Sequence, residues 1–257
     1  MLKKQNTSNC VKHTFRFKYN IILIITTAIY LNCYNAAYCD TWDLASDWSN
    51  ATNPNGQWSL VQGSTLLPHQ DNWAGIPNQD AWAISASGQG HVPAWLKLES
   101  DFGGYNIGDV IVHATSHDLV ASSINYDPTS VIWTSTFNGL VDISGSLWWS
   151  NWEQGRATLW KLYLNDTLLD SGIVGSRVGD TQLATIDDAS VFRTVTIGDT
   201  IKLQISEVDD STFSWFTSVD LTITSKEYTS PVPEPTTMLL FGAGLAGLAA
   251  VGRRRRQ

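Results

Sequence analysis

Thr196-Ile197-Gly198-Asp199-Thr200-Ile201-Lys202-Leu203-Gln204-Ile205 carries the pattern that decides the fold. Gly198-Asp199 is a turn signal, because glycine reaches backbone angles closed to other residues and an aspartate side chain caps a bend. After that turn Ile201, Leu203 and Ile205 share one face of an extended chain, while Lys202 and Gln204 share the other. The same period of two runs through Phe213, Trp215, Thr217, Val219, Leu221 and Ile223, and through Val131 to Ser135 and Leu159 to Leu164. Trp160 to Gly172 reads as a hairpin turning at Asn165-Asp166. Asn53-Pro54-Asn55-Gly56, Asn125-Tyr126-Asp127-Pro128 and Asn138-Gly139 supply further turns. No stretch between 40 and 229 sustains a helical period. About ten short strands rich in Val, Ile, Thr and Trp predict an all-β antiparallel sandwich, jelly-roll-like, of two packed sheets.

The two ends differ from this body. Residues 1–39 read as a signal peptide: Lys3, Lys4, Lys12, Arg16 and Lys18 without an acid, an apolar run from Ile21 to Leu31, then Ala37-Tyr38-Cys39. Cleavage is expected between Cys39 and Asp40. All three cysteines (Cys10, Cys33, Cys39) leave with this leader, so no disulfide is expected in the body. Five of the 16 basic residues lie in the leader and four at the far end, leaving seven; 23 of the 24 acids stay, so the body carries −16. That excess argues against nucleic acid and anionic lipid surfaces as partners. All 12 tryptophans remain in the body, and its length suits one core and one domain, 40–229.

Residues 230–257 have three parts in fixed order: Val232-Pro233-Glu234-Pro235, an uncharged apolar run from Met238 to Val251, and Arg253-Arg254-Arg255-Arg256. The prolines forbid helix and make an extended linker. The apolar run predicts a short transmembrane helix, with the arginines as a cytoplasmic stop. Gly242-x-Gly244-x-x-Gly247 lies inside that run with no strand before it, which excludes a dinucleotide loop and suits close helix packing in a membrane. These parts together resemble the PEP-CTERM sorting tail of exported bacterial proteins, whose membrane protease-transpeptidase is exosortase. The resemblance implies export through the inner membrane of a Gram-negative cell and transient anchoring by the C-terminal helix. Exosortase is then a partner, and the destination is the cell surface or extracellular matrix. Asp47-Trp48-Ser49 through Trp58-Ser59 also looks like the start of many such proteins. The tail is sometimes labelled an ice-binding C-terminal domain, but the body lacks the flat repeated Thr array that activity would need.

Candidate chemistry is sparse. His113 and His117 stand at i, i+4 without the zinc-protease glutamate, position 114 being Ala. On one strand they would sit roughly 13 Å apart, too far to share an ion. No Gly-x-Ser-x-Gly elbow is present. Asp101, Asp109, Asp127, Asp166, Asp170, Asp180 and Asp199 all occupy turn-like contexts, where capping is the expected role. Asp187, Asp188 and Asp209 are weak calcium candidates within acidic loops, and no cofactor or metal site is expected. The most suggestive cluster is Trp148, Trp149, Asn151 and Trp152. Successive strand residues face opposite ways, so Trp148 and Trp149 cannot both be core. The cluster is either a glycan-binding platform of ring faces and polar neighbours or the sandwich capping its own open end. Trp73, Trp82 and Trp95 lie in a loop-rich region, 63–95.

Three functions fit these residues. The first is a non-catalytic, exosortase-sorted surface or matrix protein associated with exopolysaccharide in a biofilm. The second is a specific carbohydrate-binding module with its site at the tryptophan rim, and the third a glycan hydrolase. The sorting signals and sandwich suffice for the first.

Overall fold

The computed structural model describes residues 40–85, 92–115, 127–149, 155–176, 181–187, 192–208, 214, 216–226 and 242. The strands, in chain order, are β1 (Thr41–Asp43), β2 (Trp58–Gln62), β3 (Thr65–Leu66), β4 (His69–Gln70), β5 (Ala81–Ala83), β6 (Ala94–Lys97), β7 (Val110–His113) and β8 (Thr129–Thr134). They continue as β9 (Gly139–Trp148), β10 (Ala157–Leu164), β11 (Thr167–Gly175), β12 (Leu183–Asp187), β13 (Arg193–Val195), β14 (Thr200–Ser206) and β15 (Phe216–Lys226). A 3-10 turn, Trp73–Gly75, interrupts them. The larger sheet runs β12-β9-β15-β7-β6-β5-β4, with β13 also on β9 and β1 also on β15; the smaller runs β11-β10-β14-β8-β2-β3. Among the described residues these strands pair antiparallel throughout, with one isolated parallel bridge between Val174 and Thr181.

The sequence period places β14. Ile201, Leu203 and Ile205 are fully buried while Lys202 and Gln204 lie between them on the outer face. Each such aliphatic burial stabilises the fold by about 1.5–3 kcal/mol. They meet Trp133 of β8, Trp160 of β10 and, from the facing sheet, Trp95, Val112, Leu147 and Val219 in one core cluster. The predicted hairpin is β10–β11: Leu164 is opposite Thr167, and Asn165 takes φ 52° to close the two-residue turn. Asn165 also ties that turn to the next one, donating to Asp199 Oδ1 at 3.1 Å and accepting from the Thr200 N–H at 2.9 Å. Asp199 caps its own turn by accepting from the Thr196 N–H at 2.7 Å, with Gly198 at φ 91°.

The stretch from 63 to 95, expected to be loop-rich, contributes β3, β4, β5 and the start of β6, and its tryptophans are core. Trp73, Trp82 and Trp95 are all buried. Trp82 and Trp95 face the sandwich, while Ala81, Ala83, Ala94, Leu96 and Ile111 face outward into a second cluster with Trp73, Tyr105 and Phe216. Both faces of β5, β6 and β7 are therefore covered. A strand covered on both faces needs no polar residue at alternate positions, so Val110-Ile111-Val112 shows no alternation.

Among the described residues no helix is long and apolar enough to cross a membrane. The expected signal peptide (1–39) lies outside them, as does the expected span Met238–Val251 apart from Gly242.

Candidate functional site

The tryptophan rim grows from the end of β9. Trp148 pairs with Leu183 on one side and Ser218 on the other, and its half-buried ring packs against the second cluster beside Phe102. Trp149 follows the strand end, its backbone N–H donating to the Gln182 carbonyl at 2.8 Å. Trp149 is only 4 % exposed. A ring that covered offers no open face to a pyranose, which weighs toward the second expectation for this cluster, the sandwich capping its own end. Its indole Nε1 is buried and has no hydrogen-bond partner. Asn151 and Trp152 lie outside the described residues.

The other candidates separate rather than converge. His113 is buried in β7, with Nδ1 2.6 Å from the Ala114 carbonyl and its ring edge-on to Phe216 at 5.0 Å. His117 lies outside the described residues, as do Asp188 and Asp209; Asp187 is the last residue of β12. Turn capping is observed directly for several aspartates. Asp109 accepts from the Asn106 N–H at 2.8 Å and Asp101 from Ile107 at 3.3 Å. Asp170, expected in a turn, instead sits within β11 opposite Leu162, its carboxylate accepting from the Ser171 N–H at 2.7 Å.

Near the chain's start, the Asp47 to Trp58 stretch holds indoles in place. Asp47 Oδ2 accepts from Trp58 Nε1 at 3.0 Å, Trp48 Nε1 donates to Asn50 at 2.6 Å, and Trp82 Nε1 donates to the Ser49 carbonyl at 2.8 Å. Asn53 bridges the Leu60 and Leu67 carbonyls at 2.8 and 3.0 Å. On the outer face, Asp43 loses hydration by partial burial, yet hydrogen bonds from Ser46 and Thr222 outweigh that and hold its pKa below the ordinary range. Among the described residues no such donor is seen for Asp220. Burial and the nearby Asp43 carboxylate raise its pKa.

One group of possible metal-ligating side chains assembles among the described residues, and it was not singled out from sequence. His69 of β4, Asp71 just after it and Asp80 just before β5 meet across the β4–β5 connection. His69 Nδ1 is 3.4 Å from Asp71 Oδ1, and Nε2 is 3.4 Å from Asp80 Oδ2. The only sequence signal is a His-x-Asp step with a further aspartate nine residues on, which is weak without knowledge of the loop between them.

Comparison with known proteins adds one firm identification. Residues 231–256 match the PEP-CTERM protein-sorting motif. This match implies recognition by exosortase, and export with processing at the membrane to a surface or extracellular destination. No curated protein matches the chain. Among solved structures, CBM51 from Clostridium perfringens GH95 in complex with methyl-galactose is similar at TM-score 0.35 and 13 % identity, covering 72 % of this chain and all of that one. CsCBM6-3 from Clostridium stercorarium in complex with cellobiose is similar at TM-score 0.24 and 15 % identity, covering 66 % and 94 %. Scores this low establish neither a shared site nor a shared ligand.

Proposed function

We propose that this chain is an exported, exosortase-sorted protein of the cell surface or extracellular matrix, with a non-catalytic β-sandwich body that associates with exopolysaccharide. The sorting motif at 231–256 carries this reading. In it, Val232 to Pro235 are presented to exosortase, Met238 to Val251 hold the precursor in the membrane, and Arg253 to Arg256 stop transfer on the cytoplasmic side. The acidic body supports a partner that is neither nucleic acid nor an anionic bilayer. A specific sugar site at the tryptophan rim loses support from the covered ring of Trp149. The test is mass spectrometry of the protein recovered from the surface or matrix of cells that express it. A C-terminus near Pro231 to Pro235 is expected. Intact Arg253 to Arg256 on the mature protein would refute exosortase processing and leave an ordinary membrane anchor.

A further inference from the structure

We propose that His69, Asp71 and Asp80 form a binding site for a divalent transition-metal ion, of which zinc is the type. One nitrogen of His69 and one oxygen of each carboxylate lie within 4.8 Å of one another. His69 Nε2 is the donor assigned to the ion. It is screened from solvent and has no hydrogen-bond partner, although the ring as a whole is 29 % exposed. A desolvated imidazole nitrogen that makes no hydrogen bond gains from a ligand that meets its lone pair. Asp80 Oδ2 faces it at 3.4 Å. Two ligands held at about 2.1 Å from one tetrahedral ion stand about 3.4 Å apart, so this spacing fits a shared metal. Asp71 supplies the third group by rotation of a side chain that is 81 % exposed.

The surroundings hold the ring for that task. Its edge rests on Trp82 at a centroid distance of 5.1 Å, and Trp82 is itself fixed by its bond to the Ser49 carbonyl. Asp80 is steadied through Oδ1, which accepts from the Asn72 N–H at 3.4 Å. An imidazole with two carboxylates favours a borderline metal over calcium, which takes six to eight oxygens. Water would complete the coordination.

The experiment is a zinc titration of the full chain, read by equilibrium dialysis and by melting temperature, with calcium in a parallel arm. His69→Gln, Asp71→Asn and Asp80→Asn are compared with wild type. Saturable zinc binding that raises the melting temperature is expected, with affinity falling about tenfold or more in His69→Gln and Asp80→Asn and a smaller loss in Asp71→Asn. The leader cysteines Cys10, Cys33 and Cys39 can also take zinc, so the decisive reading is the difference among variants. Equal zinc affinity in all four chains would overturn the proposal, as would calcium binding as tight as zinc binding. Absence of saturable zinc binding in the wild type would overturn it too, leaving only the contacts that His69 makes with Asp71 and Asp80. If His69→Gln fails to fold, Asp71→Asn decides, since its exposed side chain takes no part in the core.

Discussion

Replacing Trp149 by alanine separates a core side chain from a ligand platform. Burying a tryptophan removes about 150–250 Å² from water, which at about 25 cal/mol per Å² is worth roughly 4–6 kcal/mol. The indole N–H has no partner, and this buried donor offsets about 1–3 kcal/mol of that gain. Because unfolded chains already bury some apolar surface, the net loss expected is about 2–4 kcal/mol. For a body of this size each kcal/mol moves the melting temperature by about 2–4 °C, so Trp149→Ala should melt about 4–16 °C lower. Trp149→Phe keeps an aromatic ring and deletes the stranded N–H, and should fall within about 1 kcal/mol of wild type. The assay is thermal unfolding by circular dichroism, with retention of the same variants on an exopolysaccharide column. A Trp149→Ala protein that melts like wild type but no longer binds the polysaccharide would refute this reasoning and restore the ring as a surface contact.

Three more expectations follow from the sheets. A Cβ added at Gly145 would lie 2.1 Å from the Asp220 carbonyl oxygen and 3.1 Å from Leu221 Cα, both backbone of the paired strand β15. Gly145→Ala must therefore spread two central strands, and chemical denaturation should show a loss of about 2 kcal/mol or more; an unchanged midpoint would contradict the close approach. Asp199 has its pKa lowered by the Thr196 and Asn165 hydrogen bonds. Its contribution is thus present above the ordinary carboxylate pKa and lost as pH falls through the lower folded value. Asp199→Ala should be less stable than wild type near neutrality, with the gap closing in acid. Asp220 is shifted upward, so the sign reverses: Asp220→Asn should stabilise at neutral pH and converge with wild type below the ordinary carboxylate range. Melting curves across pH check both, and a gap for either variant that does not change with pH would count against the assignment.

What the sequence made legible was whatever repeats with the chain's own period. β14 could be placed from Ile201, Leu203 and Ile205 because one face meets the core and the other meets water. The Asn165-Asp166 turn could be placed because its residues suit the backbone angles a two-residue hairpin imposes. β5, β6 and β7 were opaque, since the second cluster covers the face that would otherwise have been polar. Trp149 was left between two readings on related grounds: adjacency fixes that two strand residues diverge, but not whether each is covered where it goes. The histidine-aspartate group was invisible because Asp71 and Asp80 are brought back together by a connection with Asn72, Ala74 and Asn78 at positive φ, which no local pattern announces. The sorting tail was readable for the opposite reason. Its signal is a linear order of residue types.

The pairing of β1 with β15 bears on when this protein can finish folding. The Asp40 N–H donates to Ser225 Oγ and the Ser225 N–H to the Asp40 carbonyl, across a separation of 185 residues. β15 is also the partner of β9 and β7, so the larger sheet has no centre until the last strand arrives. A chain emerging from its N-terminus would hold β1 unpaired and much of the sheet waiting, with its edges open to other chains meanwhile. Residue 226 precedes the sorting motif by only a few positions. Completion of the fold and delivery of the tail are therefore nearly the same event in time, and a chain cut short before β15 would lack both.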